Sequence, residues 1–319
     1  MPDIERPELV PPPAAVAPLS NAGQPPGTGT AEQPSTPRYR LVLRRFLRHK
    51  LATVSLALFV AMALLAFVGG TLWHYKYNAF TPDNSEPPSL KHPFGTDATG
   101  YDLFAQVMRG TQRSIEIALF VAITSGLFGS IWGSVAGLYG GKLDVLMMRI
   151  ADLILIFPAI AVAAVLANNV GSSGQGWLLI GVVLSSLMWP YVARLVRGLV
   201  LSLREREFIA ASRTFGASGR HIIFRHILPN ALGTIIVAVT VIVAVAILAE
   251  TALSYIGFGV QPPDTSLGLL VSQNQTAVST RPWLFYFPGL FIVLIALSIN
   301  FVGDGLRDAF DTTQSRSRG

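Results

Sequence analysis

The chain has 319 residues, of which 51% are hydrophobic and only 13% charged, which is too apolar for an ordinary soluble domain of this length. Without a single cysteine it has no disulfide, thiolate metal site, iron–sulfur cluster or cysteine nucleophile. The net charge of +6 gathers into short stretches between long uncharged runs, a pattern that indicates membrane topology rather than a nucleic-acid partner.

The N-terminal region divides into two parts of different composition. Residues 1–37 hold ten prolines and show no apolar periodicity, so we expect a disordered tail. Residues 38–50 carry six Lys or Arg directly before the first apolar run, so we expect a basic cytoplasmic arm beside anionic lipid headgroups. At the other end, residues 313–319 are predicted to form a C-terminal tail.

Six apolar runs are long enough to cross a bilayer, because about 20 helical residues span its hydrocarbon layer of about 30 Å. The predicted spans are residues 51–72, 117–139, 146–168, 177–201, 227–249 and 282–303, within a transmembrane domain that covers 51–312. The first run is too long and too far from the N-terminus for a cleaved signal peptide. The sequence therefore predicts an all-α integral membrane protein.

The distribution of basic residues predicts the orientation of the spans. With both termini in the cytoplasm, 17 Lys and Arg fall on the cytoplasmic side and five on the outer side, in agreement with the positive-inside rule. The loop formed by residues 73–113 is then external. We expect a multi-pass protein of the cell membrane with cytoplasmic N- and C-termini.

A few ionisable residues and prolines lie within the predicted spans. Arg149 and Asp152 are three positions apart and are expected to pair, which lowers the cost of burying either charge. Glu250 ends a long apolar run and either contacts a substrate amine or hydrogen-bonds a neighbouring helix. Pro158 and Pro190 are expected to kink their helices.

The external loop contains one cluster of polar residues, namely His92, Asp97 and Asp102. A single histidine with spaced carboxylates either ligates a metal or caps turns, and we favour the turn.

The most informative stretch is the polar segment 203–230, between the fourth and fifth predicted spans. Phe208, Ala211, Ser212 and Phe215 recur at helical spacing and form one face of an amphipathic helix. Gly216 suits the left-handed end of that helix. Downstream of the glycine, Ser218 is suited to cap a second short helix and Pro229 suits the first turn of the fifth span. Such an amphipathic helix either lies on the membrane surface or docks into a partner protein.

The segment resembles the cytoplasmic "EAA" loop of binding-protein-dependent ABC importers. The family pattern has Glu-Ala-Ala, a Gly four residues after the second Ala and a later Leu-Pro; it is met by Ala211, Gly216 and Leu228–Pro229, with Ala210 in place of Glu and Ser212 in place of the second Ala. In that family the loop inserts into a cleft of the ATPase subunit. The resemblance implies an ATPase-coupling interface, without catalytic residues, formed by Glu207, Phe208, Ala210, Ala211, Phe215, Gly216, His226 and Pro229.

Five further motifs resemble the peptide and nickel branch of these importers, and specifically the second (C-type) of its two membrane subunits. They are HPFGTD with GYD at residues 92–102, MRIAD with FP at 148–158, ETALSYIGFG with QPP at 250–263, FPG at 287–289 and NFVGDGLRD at 300–308. Together with the EAA-like loop they keep the family order over roughly residues 40–312.

The resemblance implies the type I ABC importer permease fold with a cytoplasmic coupling helix. It also implies four kinds of partner: a second permease subunit, two ABC ATPase subunits, an extracytoplasmic substrate-binding protein and membrane lipid. No phosphate-binding G-x-x-x-x-G-K-[ST] motif occurs in the chain, so ATP and Mg²⁺ are expected to be used by the partner subunits, and no cofactor or metal by this one.

We therefore predict a non-enzymatic permease subunit that forms half of a translocation pathway for di- or oligopeptides. An importer of nickel or another small solute remains an alternative. An ion-coupled secondary transporter is a more distant one, since we find no clear internal repeat.

Overall fold

The computed structural model describes residues 38–158, 161–162, 164–165 and 176–310. In these ranges the chain is helical, and its only extended pairings are two isolated bridges, Phe80 with Tyr101 and Thr96 with Asp102. The predicted tails at 1–37 and 313–319 lie outside the described residues.

The basic arm is a helix of its own. Helix α1 covers Arg38–Arg48 and α2 covers Lys50–Leu64, prolonged by a π-helical turn at Leu65–Gly69 and a last turn at Gly70–Leu72. His49 separates α1 from α2 in extended conformation, and its ring nitrogen accepts a hydrogen bond from the Ala52 amide at 3.2 Å. The cap sets the start of the first span where the charge pattern placed it.

Helix α3 is longer than the second predicted span. It covers Leu103–Tyr139, 37 residues, whereas the apolar run starts at residue 117. Asp102 caps the helix by accepting a hydrogen bond from the Ala105 amide at 2.8 Å. At 1.5 Å per residue α3 measures about 55 Å, well beyond the hydrocarbon layer. The external loop predicted at 73–113 therefore ends at Asp102, and residues 103–113 belong to helix α3 instead.

Helices α3 and α5, the latter covering Gly176–Leu203, pack closely through glycines. A Cβ atom added at Gly129 would lie 2.6 Å from the Trp189 carbonyl oxygen, and one at Gly133 would lie 2.3 Å from that of Ala193. Only glycine permits so short a distance between two helix backbones, so these positions fix how the two helices cross. Pro190 lies inside α5, and the kink expected there stays a prediction.

The third predicted span begins in α4, which covers Gly141–Ile156. The span is interrupted at Pro158, as predicted, but by a break rather than a kink: α4 has ended at Ile156, and Phe157 is extended, as is usual before proline. The rest of this predicted span is largely outside the described residues. Within the described part, five helical segments are long and apolar enough to cross a membrane: Lys50–Leu72, Leu103–Tyr139, Gly176–Leu203, Gly219–Tyr255 and Trp283–Phe310.

The second half of the chain completes the bundle. Two short helices, α6 (Glu207–Thr214) and α7 (Gly219–Ile222), and a π-turn at Ile223–Ile227 lead into α8, Leu228–Tyr255. The last two helices are α9 (Leu267–Asn274) and α10 (Trp283–Phe310). The main buried apolar cluster draws residues from α2, α3, α5, α8 and α10, while large apolar side chains such as Val54 and Val293 stay exposed on the outer faces. Exposed apolar faces are typical of helices whose solvent is lipid.

Candidate functional site

The segment after α5 forms a helix, a sharp turn and a second helix, as predicted. Helix α6 ends in a Schellman motif, in which the Ala217 amide donates to the Ser212 carbonyl at 3.1 Å and the Gly216 amide to the Arg213 carbonyl at 2.9 Å. Gly216 has φ +76°, the left-handed conformation that glycine adopts without strain. Ser218 caps α7 by accepting from the His221 amide at 3.3 Å.

Helix α6 buries one of its side chains in the rest of the protein. Ile209 is fully buried in the main apolar cluster, whereas Phe208 is 43% exposed and Phe215 is 89% exposed. The other predicted interface residues on this segment that are exposed are Glu207, Ala210, Ala211, Gly216 and Pro229. The sequence pattern identified the outward face but missed Ile209, the residue that holds α6 in place.

The segment downstream of α6 is more firmly attached. Ile222, Ile223 and Ile227 are buried, and a Cβ atom at Gly219 would lie 2.2 Å from the Tyr139 hydroxyl at the end of α3. His226 is half-buried, with its ring 6.2 Å from that of Phe208. Pro229 lies in the first turn of α8, as predicted.

The attachment upstream of α6 is also to α3. The Arg204 guanidinium donates to the Gly137 carbonyl at 3.1 Å, within the last turn of that helix. Helix α6 is therefore a small apolar projection whose two ends are fixed to the membrane-spanning helices, so a force on the projection reaches the bundle.

Glu250 lies at a junction of three helices. Its carboxylate is fully buried and accepts hydrogen bonds from Ser254 at 2.7 Å, on its own helix, and from Ser114 of α3 at 3.2 Å. The Ser254 hydroxyl also lies 3.3 Å from that of Ser266, the cap of α9. Of the two alternatives for Glu250, this geometry supports hydrogen bonding to a neighbouring helix.

The predicted pairing of Arg149 with Asp152 is wrong. Asp152 forms its ion pair with Arg194 of α5, and Arg149 has no ion-pair partner among the described residues. A spacing of three positions on one helix permits a pair, but the packing of α4 beside α5 offers Asp152 a cation on the neighbouring helix instead. Arg149 instead borders an open groove at the start of α4.

One charged cluster was not predicted, because it joins distant parts of the chain. Asp264 accepts from Arg109 Nε at 2.9 Å and from Arg113 Nε at 2.5 Å. The two guanidinium groups also lie 5.1 Å from the ring centres of Tyr77 and Trp177, respectively. These contacts explain why the polar start of α3 is helical and tie it to the loop before α9.

The polar cluster of the loop before α3 shapes turns, as we favoured. One Asp97 carboxylate oxygen accepts from the Thr99 amide at 2.8 Å and the Tyr101 amide at 2.9 Å. Asp102 caps α3 and lies 2.7 Å from Nδ1 of the buried His92. These two carboxylates are thus engaged in backbone and side-chain contacts.

A different set in the same loop has the spacing of a metal site. The ligand atoms of Asp83, Glu86 and His92 lie within 4.8 Å of one another. However, Asp83 also pairs with the Lys91 ammonium, which lowers the pKa of the Asp83 carboxyl and repels a cation. Asp83 is therefore engaged by the Lys91 ammonium and by the His92 ring, 3.2 Å away.

Comparison with known proteins identifies the family of this chain. Residues 129–316 match the family described as binding-protein-dependent transport system inner membrane component, and residues 38–91 match the N-terminal TM domain of oligopeptide transport permease C. The oligopeptide transport system permease protein OppC of Mycobacterium tuberculosis is 40% identical over 88% of this chain and 97% of its own length.

Other relatives give the same result. OppC of Bacillus subtilis is 40% identical over 84% of this chain and 87% of its own length, and the dipeptide permease DppC of Alkalihalophilus pseudofirmus is 37% identical over 93% and 95%. A chain of the inward-facing MetNI methionine ABC transporter shares the fold with a TM-score of 0.53, at 19% identity, over 65% of this chain and 97% of that one. This chain therefore belongs to the binding-protein-dependent transport system inner membrane components, in the branch that carries the N-terminal domain of oligopeptide transport permease C.

Proposed function

We propose that the chain is one of two membrane subunits of an ATP-driven importer and forms half of a translocation pathway for di- or oligopeptides. The names of its relatives, which are oligopeptide and dipeptide permeases, support this cargo class over nickel. Membership of this family also argues against the ion-coupled carrier. We further propose that the third predicted span, which starts in α4, completes a set of six.

Helix α6 is proposed to be the coupling helix that enters a cleft of an ATPase subunit. The observation that carries this proposal is the contrast between exposed Phe208 and Phe215 on one side and buried Ile209 on the other. An exposed apolar helix face of this kind is suited to dock into a hydrophobic groove of a partner protein. ATP and Mg²⁺ would be bound by two ATPase subunits, and a binding protein would deliver the peptide from outside.

Movement of α6 would reach the membrane helices through two fixed points. The Arg204 bond to Gly137 and the contact of Gly219 with Tyr139 both lie at the end of α3. Closure of the ATPase dimer would thus shift the end of α3 and bias the bundle between inward- and outward-open states, which is how ATP binding changes the affinity for the cargo.

Affinity purification of the chain from gently solubilised membranes, with mass spectrometry and an ATPase assay, tests the assembly. We expect a second permease, two ATPase subunits and a binding protein to come with it. Proteoliposomes that contain the purified complex should accumulate labelled peptide when ATP is present. Uptake of nickel instead of peptide would contradict the proposed cargo. Transport by this chain alone and without ATP would refute the proposal of an ATP-driven importer.

Substitution of Gly216 tests the coupling helix. Gly216→Val places a β-branched residue at φ +76°, which costs about 1 to 2 kcal/mol and distorts the end of α6. We expect assembly to persist while ATP hydrolysis no longer drives uptake. Gly216→Asn is the matched control, because asparagine tolerates this conformation and no atom lies within 4 Å of the added Cβ. Normal uptake by the valine variant would refute the assignment.

Single cysteines test the orientation, since the native chain has none. We propose that the loop around Leu90 is external and that α6 is cytoplasmic. In intact cells a membrane-impermeant maleimide should label Leu90→Cys and leave Thr214→Cys unlabelled, with both labelled after permeabilisation. Labelling of Thr214→Cys alone in intact cells would show that the orientation is the reverse of the proposed one.

A further inference from the structure

Helix α1 is strongly amphipathic and contains no acidic residue. Its sequence, RYRLVLRRFLR, places Arg40, Arg44 and Arg48 four positions apart, so that they share one face. All three side chains are exposed. Among the described residues none of the three forms an ion pair, so this face presents three unneutralised guanidinium groups.

Helix α1 also carries two apolar strips, one opposite the arginine face and one beside it. Phe46 is buried and Val42 half-buried, in a small cluster with Ala52 and with the C-terminal part of α10. Next to them, Leu43 and Leu47 are 56% and 55% exposed. One strip therefore fixes α1 to the protein, and the other is left open beside the arginine face.

The position of α1 in the chain determines what surrounds its arginine face and its exposed leucines. Only His49 separates α1 from Lys50, where the first membrane span starts, so α1 lies at the boundary between hydrocarbon and water. In this layer, apolar side chains reach the acyl region and cationic side chains reach phosphate groups. The exposed leucines and arginines of α1 match both regions in charge and polarity.

We propose that α1 is an interfacial helix that binds anionic phospholipids, with Arg40, Arg44 and Arg48 at the lipid phosphates and with Leu43 and Leu47 in the acyl region. The occupant is lipid rather than a partner protein, because the exposed apolar strip continues into the lipid-facing surface of the first span, where Leu51 and Val54 are exposed.

Bound lipid would also hold the C-terminal end of α10. A Cβ atom at Gly305 would lie 2.2 Å from the Ala52 methyl and 3.2 Å from the Phe46 ring, so α10 and the corner between α1 and α2 are in direct contact. His49 Nε2 lies 3.6 Å from the Asp308 carboxylate in the same region. The lipid site and the last membrane helix thus form one unit.

Native mass spectrometry of the full-length chain, titrated with an equimolar mixture of phosphatidylglycerol and phosphatidylcholine, measures the lipid preference. We expect the anionic lipid to be retained preferentially and the preference to fall about tenfold or more in the variant R40Q/R44Q/R48Q. The charge-conserving variant R40K/R44K/R48K should keep the preference. The variant R206Q/R220Q/R225Q removes the same charge from the segment around α6 and should also keep it.

A fluorescent label locates the helix in the bilayer. Leu47→Cys provides a unique thiol for an environment-sensitive dye, and in nanodiscs with brominated acyl chains we expect strong quenching. Arg44→Cys, on the arginine face, should be quenched far less. An unchanged lipid preference in R40Q/R44Q/R48Q, an equal loss in R206Q/R220Q/R225Q, or a Leu47→Cys label shielded by a second protein rather than by lipid would each overturn the proposal.

Discussion

Asp264 lies against Arg109, 155 positions earlier in the chain, with its Oδ1 atom 2.9 Å from the arginine Nε. The same carboxylate accepts from Arg113, one turn further along α3. One acidic side chain in the loop before α9 thereby pairs with two cations at the start of a membrane helix, and Glu116 supplies the second negative charge through its own contact with Arg113.

This relationship predicts a coupling energy between Asp264 and Arg109. Both side chains are partly buried, at 14% and 23% exposed, so the pair is stronger than a surface ion pair. We expect Asp264→Asn to lower the free energy of unfolding, and a double-mutant cycle with Arg109→Gln to give a coupling of about 1 kcal/mol. Thermal unfolding of the detergent-solubilised chain measures it. Additive effects would show that the pair contributes nothing.

Glu250 is predicted to be structural. Glu250→Leu would leave the hydroxyl groups of Ser114 and Ser254 buried without their acceptor, which costs about 1 to 3 kcal/mol, whereas Glu250→Gln retains an acceptor oxygen. We expect a clear drop in melting temperature for the leucine variant and a small one for glutamine. A glutamine variant of native stability that selectively loses uptake of cationic peptides would instead reveal a substrate contact.

Two residues of the proposed coupling segment, Ile209 and Phe215, are predicted to behave differently. Ile209→Ala removes the only buried side chain of α6, a change that costs about 2 to 5 kcal/mol in well-packed cores. Amide exchange in residues 207–214 should therefore accelerate. Phe215→Ser alters an exposed ring, so exchange should stay unchanged while peptide-stimulated ATP hydrolysis falls. Equal effects of both variants on exchange would contradict the division into an anchoring and a docking face.

The loop before α3 is predicted to open in acid at a pH set by Lys91. The Lys91 ammonium, followed by the His92 ring, lowers the pKa of the Asp83 carboxyl below its ordinary value of 3.8. A carboxyl with a lowered pKa stabilises the fold above its unfolded pKa and loses that contribution as the pH falls through the folded value. Lys91→Met removes the larger of the two causes and brings the folded pKa of Asp83 closer to the unfolded one, so the loop should open at a higher pH than in the native chain.

Limited proteolysis with pepsin between about pH 5 and pH 2 measures this opening. Lys76→Met is the matched control, because Lys76 is an exposed lysine in the same loop without an ion pair among the described residues. A shift of the same size in the Lys76 variant would mean that net charge, rather than the Asp83 contact, controls the loop.

Features that depend on neighbours in the sequence could be predicted well. The left-handed conformation at Gly216, the cap at Ser218 and the position of Pro229 all result from the conformational range of single residues. The apolar runs also located the five long helices of the described chain, because the length of a span reflects the thickness of the bilayer. Family motifs, which depend on the same local order, indicated the family.

Features that depend on distant contacts could not be predicted. The start of α3 at Leu103 was missed because polar residues such as Arg109 and Gln112 find partners elsewhere, Arg109 at Asp264 and Gln112 at the Ala66 carbonyl, 2.7 Å away. Helical spacing alone favours a pair between Asp152 and Arg149. It carries no information that Arg194 of α5 lies opposite Asp152.

The sequence by itself determined the membrane setting, the order of the helices and the outward face of α6, since hydropathy and local conformational preferences act over a few residues. Only the tertiary structure decided that Ile209 anchors α6, that Glu250 joins α8 to α3, and that Phe46 fixes α1 to α10. The physical reason is that burial and ion pairing depend on which side chains the packed helices bring together, and no local pattern encodes those distances.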